Sequence, residues 1–254
     1  MIHYHGTPMT PAFDAARFFR GRHAMVSFAT GRAQLPMLAE VCQSFALDNG
    51  AFSAWTSGAP ITDWSEYYTW CGDWLAHPGC DWALIPDVID GDEAANDALV
   101  EEWPFDAFLG LGVPVWHLHE SIERLVKLYN FWPRVAFGSS GQFAQIGTTS
   151  WWARMAEALE AICYEHGGGE GSPMTKLHGL RMLDPTIFSH IPFASADSTN
   201  VARNMGLDQN WRGRYVPTSP EVRAYVIADR IEAHASAARW CRTHGVQQNL
   251  GLLG

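Results

Sequence analysis

The sequence predicts a single-domain α/β protein, a parallel (β/α)₈ barrel of the TIM type spanning residues 1–254. Three observations carry that expectation. Eight short apolar runs, each closed by a polar or glycine-containing turn, alternate with stretches of helical spacing, which gives βα units and a parallel sheet. The chain has 254 residues, 47% of them hydrophobic, enough for one sizeable core and the size at which a barrel commonly forms one domain. A doubly wound open sheet would share the alternation, but the polar residues that close the runs favour a barrel, whose active site gathers at the C-terminal ends of its strands.

In chain order, the strand Ile2–His5 leads to helical spacing at Ala12–Arg20, and Ala24–Phe28 to Leu35–Cys42. Ser44–Asp48 precedes Trp64–Ala76, and Trp82–Pro86 precedes Asp92–Trp103. Val113–His117 is followed by Ser121–Phe131, and Arg134–Gly138 by Trp151–His166. Lys176–Leu180 precedes the short Pro185–His190, and Pro192–Asp197 is the eighth strand. Asp63, Ser121 and Ser219 stand at helix starts, and Pro220 suits a first turn, so a C-terminal helix is expected over 219–244. The glycine run Gly167–Gly171 is expected to be a flexible connector.

A net charge of −10 disfavours a protein that coats nucleic acid without specificity, because phosphate binding draws on clustered Lys and Arg. The five cysteines are scattered, without the close pairs of a structural zinc site, and read as reduced thiols. The N-terminus lacks the basic start and apolar run of a leader, and no segment approaches a membrane span of about 20 apolar residues. A soluble cytoplasmic protein without membrane association is expected.

The strand ends carry Asp48, Asp87, His117 with His119, Gly138-Ser139-Ser140 and Asp197. Each aspartate alone would serve as a helix cap or turn residue; three together at strand ends point to a shared site. Asp48 lies in Leu47-Asp48-Asn49-Gly50-Ala51-Phe52, where Asn-Gly supports a tight turn and Phe52 offers a flat surface near the carboxylate. Asp197 lies among the small residues Ser195-Ala196-Asp197-Ser198, which let a ligand approach the backbone.

These segments resemble the DpdA family of 7-deazaguanine DNA transglycosylases, relatives of the tRNA-guanine transglycosylases. Leu47–Phe52 resembles the family's LDSGGF motif, Ile85-Pro86-Asp87-Val88 its PQD strand end, and Val135–Ser139 its VGLGS segment. Leu177-His178-Gly179 followed by Ser195–Ser198 resembles the LHG…SADS ending, the most specific of the matches. The order of the motifs agrees from about residue 44 to 200. The resemblance implies a pentosyltransferase of phage or mobile-element type that replaces guanine in DNA with a free 7-deazaguanine base, without a cofactor or metal. It makes Asp197 the nucleophile on the anomeric carbon and Asp48 the general acid and base. Asp87 would bond the purine edge, with Phe52, His117, His119, Gly138, Ser139 and His178 lining the substrate site. The family's glutamine on the fifth strand has no match in Pro114–His119, and the zinc-site cysteines of the tRNA enzymes have no counterpart.

Two other readings compete. Metal-dependent amidohydrolase barrels have an HxH pair on strand one, later histidines and an Asp on strand eight, a scheme that His3, His5, His117, His178 and Asp197 imitate. There Asp197 would be a base for metal-bound water. A catalytically silent nucleotide-binding barrel is the third. For nucleic acid, Arg203, Arg212 and Arg214 beside Trp211 could clamp a sugar-phosphate backbone, and Arg17, Arg20, Arg22 and Arg32 form a second basic cluster whose plain alternative is an ion-paired surface. Phe52 and Trp55 are candidate stacking surfaces for an exposed base. A homo-oligomer or a DNA-targeting partner is compatible with the sequence.

Overall fold

A computed structural model describes residues 1–205 and 216–242. The strands are β1 (Ile2–Gly6), β2 (His23–Ser27), β3 (Ser44–Asp48), β4 (Cys80–Leu84), β5 (Gly112–Val113), β6 (Val115–His117), β7 (Arg134–Gly138), β8 (Lys176–Gly179) and β9 (Ser195–Ser198). All pair in parallel, in the order β5-β4-β3-β2-β1-β9-β8-β7-β6.

The two outer strands of that order are halves of one predicted strand, parted only by Pro114, which has no N–H to give to a ladder. β5 pairs with β4 and β6 with β7, so one extended segment joins both margins of the sheet and nearly closes it into a barrel. Pro114 still contributes its carbonyl, which accepts the Ala136 N–H at 2.9 Å. The count of nine observed strands against eight expected therefore reflects a change of hydrogen-bonding partner at one proline.

Side chains alternate across each strand with period two. Tyr4, Met25, Ala46, Trp82, Leu84, Val113, Val115 and Ala136 turn inward and fill the barrel. Their outward neighbours, among them Val26, Phe45, Leu47, Trp116, Val135, Phe137 and Leu177, pack beneath the surrounding helices. Both faces are apolar because both are buried, as parallel sheets require.

The helices are α1 (Ala12–Phe19), α2 (Leu35–Val41), α3 (Ala51–Thr56), α4 (Ser65–Trp74), α5 (Glu93–Glu102), α6 (Ile122–Phe131), α7 (Thr149–Glu160), α8 (Pro185–Phe188), α9 (Asn200–Asn204) and α10 (Pro220–Glu232). Ser121 and Ser219 cap α6 and α10 as expected, while Asp63 accepts from Ser65 N–H one residue before the cap of α4. α7 ends in a π-helical turn, Ala161–Glu165, within the expected Trp151–His166.

Two expectations are corrected. The C-terminal helix stops at Glu232 rather than near residue 244. Beyond it the chain crosses to the buried Trp240, whose N–H donates to Gly171 O at 2.8 Å and whose indole N–H donates to Glu160 at 3.0 Å. Those contacts outweigh the helical propensity of the alanines between. For the same reason the glycine run is a fitted surface rather than a free connector: Gly171 sits at φ +83°, and a Cβ there would lie 2.2 Å from Trp240 O.

Candidate active site

The strand ends converge. Asp48, Asp87, His117, Gly138, Ser139 and Asp197 line one pocket of about 430 Å³ at the C-terminal mouth of the barrel, with Phe52, Arg181 and Arg203 at its sides. That volume is in the range of small-molecule sites.

Asp48 ends β3, and the turn after it is set by glycine. Gly50 has φ +79°, and a Cβ would meet Ala29 at 2.6 Å, so the chain can reverse there only without a side chain. The Gly50 N–H returns to Asp48 Oδ1 at 3.2 Å. Burial pushes the Asp48 carboxyl up to about 7, and the negative charge of Asp197 adds to the shift against the opposing Gly50 bond.

Asn49 links this turn to the next strand end. Its Oδ1 accepts Ala51 N–H at 2.9 Å, starting α3, while its Nδ2 donates to Ile85 O at 2.9 Å and to Asp87 Oδ1 at 2.7 Å. Asp87 Oδ2 meets His117 Nε2 at 2.9 Å. Each oxygen of Asp87 thus has one protein partner and keeps acceptor capacity for a ligand. The His117 ring fits only because residue 138 is glycine: a Cβ at Gly138 would lie 2.8 Å from His117 Nδ1.

Asp197 ends the barrel strand opposite. Its Oδ1 accepts Arg181 N–H at 3.0 Å and lies 3.3 Å from His178 Nε2. His178 is fully buried inside the barrel, and burial lowers its pKa, so the imidazole is neutral at neutral pH. Its tautomer follows from its neighbours. Arg134 donates to Ser195 Oγ at 2.7 Å, which leaves the Ser195 hydroxyl hydrogen for His178 Nδ1 at 2.9 Å. Nε2 then carries the proton, 3.3 Å from Asp197 Oδ1 without forming a hydrogen bond to it.

The remaining expected residues fall as follows. His119 lies behind His117, its ring near-parallel at 5.6 Å, and is held by Ser140 Oγ at 2.7 Å and Gly91 O at 3.1 Å, so it does not line the pocket. Ser139 lines it, but its hydroxyl accepts from the Trp151 indole at 2.9 Å and its carbonyl from Arg181 at 2.7 Å. Phe52 is not an open stacking face: the Arg181 guanidinium lies 3.8 Å from its ring centre, and Trp55 is its neighbour at 6.0 Å. Arg212, Arg214 and Trp211 lie outside the described residues.

Sequence reasoning missed Asn49 as an orienting group and Arg181 altogether. Arg181 follows Leu180 in the strand-end position after the Leu-His-Gly segment, and it holds a left-handed φ of 60°, uncommon for a residue with a side chain. Its place after a strand end was the one available signal.

The amidohydrolase-like ligand set is not assembled. His3 and His5 point out of the barrel: His5 Nε2 meets Glu232 on α10 at 2.7 Å, and His3 Nε2 meets His234 O at 3.0 Å. They occupy the strand face opposite Tyr4, whereas His178 and Asp197 face inward, so the sheet separates the two halves of the proposed ligand set. Among the described residues no group of three or more His, Cys, Asp or Glu is arranged to hold a metal ion. No helix among them is long and apolar enough to cross a membrane. Compared with known proteins, the chain matches no family model, no curated protein and no solved structure.

Proposed function

We propose that the protein is a base-exchange glycosyltransferase that replaces guanine in DNA with a 7-deazaguanine base through a covalent aspartyl-sugar intermediate. The observation that carries this reading is the pair of unlike carboxylates in one pocket. Asp48 is pushed up to about 7 and holds a proton near neutrality, while Asp197 is anchored through Oδ1 by a backbone N–H and faced by a neutral imidazole. A buried carboxyl that keeps its proton near neutrality suits a general acid, and a carboxyl anchored through one oxygen beside it suits a nucleophile.

Both Asp197 contacts fall on Oδ1, which leaves Oδ2 to attack the anomeric carbon. As the Oδ2–C1′ bond forms and the glycosidic bond breaks, Asp48 gives its proton to the departing base. The incoming base then loses a proton to Asp48 and attacks C1′, and the ester to Asp197 breaks. A target base in duplex DNA must leave the stack to enter a pocket at the barrel mouth.

The test is incubation with guanine-containing DNA and a labelled 7-deazaguanine base, followed by digestion and nucleoside analysis. Label in the nucleosides is expected. Asp197→Asn is expected to lose at least about 10³-fold in exchange with little change in folding. Asp48→Asn should slow both halves of the exchange, and any DNA–protein adduct trapped with it should never form with Asp197→Asn. Near-normal exchange by Asp197→Asn would end this assignment.

A further inference from the structure

Four of the seven large apolar side chains exposed among the described residues gather at the end of the barrel opposite the pocket. Phe105 and Leu109 lie in the loop leading into β5, Phe131 ends α6 just before β7, and Met174 stands just before β8. β7 pairs with both β6 and β8, and β5 and β6 form one stave, so the three approaches are neighbours on the rim. Contacts join them into one face. Phe105 packs against Phe131 at 6.4 Å and against Trp132 at 5.4 Å between ring centres. Met174 N–H donates to the Tyr129 hydroxyl at 2.5 Å, Thr175 Oγ1 to Tyr129 O at 2.8 Å, and Lys176 N–H to Pro133 O at 3.2 Å.

The face has relief. Phe131 projects from the last position of α6 and is 72% exposed. Beside Met174 lies an open cavity of about 290 Å³, walled by Pro173, Leu177, Pro192, Phe193 and Ala237 and edged by the exposed Lys176. Charge is divided in the same way. Glu102 and Asp106 are exposed around Phe105, in a stretch, Glu93–Phe108, that holds no Lys or Arg. On the cavity side the acid that precedes Met174, Glu170, is ion-paired with Arg239 at 2.9 Å, which leaves Lys176 to set the sign. Leu109 shows what the face costs a lone chain: its φ of 55° is uncommon for a bulky side chain, and at 66% exposed it gains little burial in return. By contrast, the basic residues near the N-terminus are satisfied within the chain, Arg22 by Glu232 at 3.0 Å and Asp229 at 3.1 Å, Arg17 by Glu221 at 3.6 Å and Arg32 by Glu66 at 3.3 Å.

We propose that this face joins two copies of the chain about a two-fold axis, with Phe131 of each seated in the cavity beside Met174 of the other. A two-fold interface uses the same surface on both sides, so a face that carries a knob and a hole, and an acidic and a basic flank, complements itself. The rotation brings Lys176 of each copy to Glu102 and Asp106 of the other. Charge complementarity is the ground for a second copy over an unrelated protein. The partner required has an aromatic knob beside two carboxylates and an apolar hole edged by a lysine, and that is a description of the face itself. Docked end to end, the two barrels keep their pockets open and pointing apart. The inference is independent of what the pocket does.

Sedimentation equilibrium of the full-length protein over a concentration series tests it. The wild-type chain is expected to reach twice its own mass. Phe131→Asp should weaken dimerisation at least about 10³-fold, because an anchor worth a factor of about 30 is removed twice per dimer. Its circular dichroism should be unchanged, since the side chain is exposed. Lys176→Glu should also weaken the dimer, and adding Glu102→Lys and Asp106→Lys to the same chain should restore it, because the reversed flanks again meet opposite charges. A wild-type chain that stays monomeric throughout overturns the proposal, whichever other partner then covers the face. A dimer indifferent to Phe131→Asp, or one weakened by Lys176→Glu and not recovered by the reversal, overturns it as well.

Discussion

On the base-exchange reading, Asp48 makes activity depend on pH in a definite direction. With its carboxyl pushed up to about 7 by burial and by Asp197, kcat/KM should be level in weak acid and fall about tenfold per unit above pH 7. A pH–rate profile checks this, and the limb should vanish in Asp48→Asn. Stability follows the same group. The folded state holds the proton more tightly than the unfolded chain, near 3.9, so its contribution is intact at low pH and is lost as pH rises through about 7. Asp48→Asn should therefore raise Tm more at pH 8 than at pH 5. On the same reading, His178, 3.3 Å from Asp197, is a positioning residue that acts through it. His178→Leu should lower kcat about 10- to 100-fold with KM unchanged, and His178→Gln, which can offer an amide N–H, should recover part of the loss. A fall in Tm with unchanged kcat would reject that role. The three aspartates were legible because acids rarely close apolar runs. Asn49 and Arg181 were not, since one acts across to Ile85 and Asp87 and the other through a turn conformation that spacing does not encode.

The elements with strong periodicity were read nearly to their ends, whereas the short ones were not. α3 and α9, each a turn or so long, begin directly after a strand-end turn and carry too few residues for a 3.6-residue pattern to register. The C-terminal helix was overextended because the alanine-rich residues after Glu232 favour helix locally, and only the distant Gly171 and Glu160 reveal why it ends. Trp240 carries that contact and is 1% exposed. Trp240→Ala should destabilise the protein by about 3–5 kcal/mol, measured by urea denaturation, with the exchange site unaffected below the transition. A smaller loss, under about 1 kcal/mol, would mean that the segment after α10 is held elsewhere.

For the whole molecule, the barrel was legible because eight apolar runs each carry alternation compatible with two buried faces. Which face each side chain takes was not, and the paired histidines of β1 turned out to face the helices. His5 joins Glu232 and Arg22 in a hydrogen-bonded group between the barrel and α10. His5→Ala should cost about 1.5–3 kcal/mol of stability in denaturation and leave exchange unchanged, and treatment with a chelator should also leave exchange unchanged. Loss of exchange restored by stoichiometric metal would return the hydrolase reading. The pairing of β9 with both β8 and β1 has a kinetic consequence. The stave bearing Asp197 is the last of the described strands, and its neighbour β1 left the ribosome almost two hundred residues earlier. Contacts so far apart in sequence form late. A nascent or partly refolded barrel thus holds Asp48 before it holds Asp197 in register, and recovered exchange activity should lag the return of helical signal during refolding.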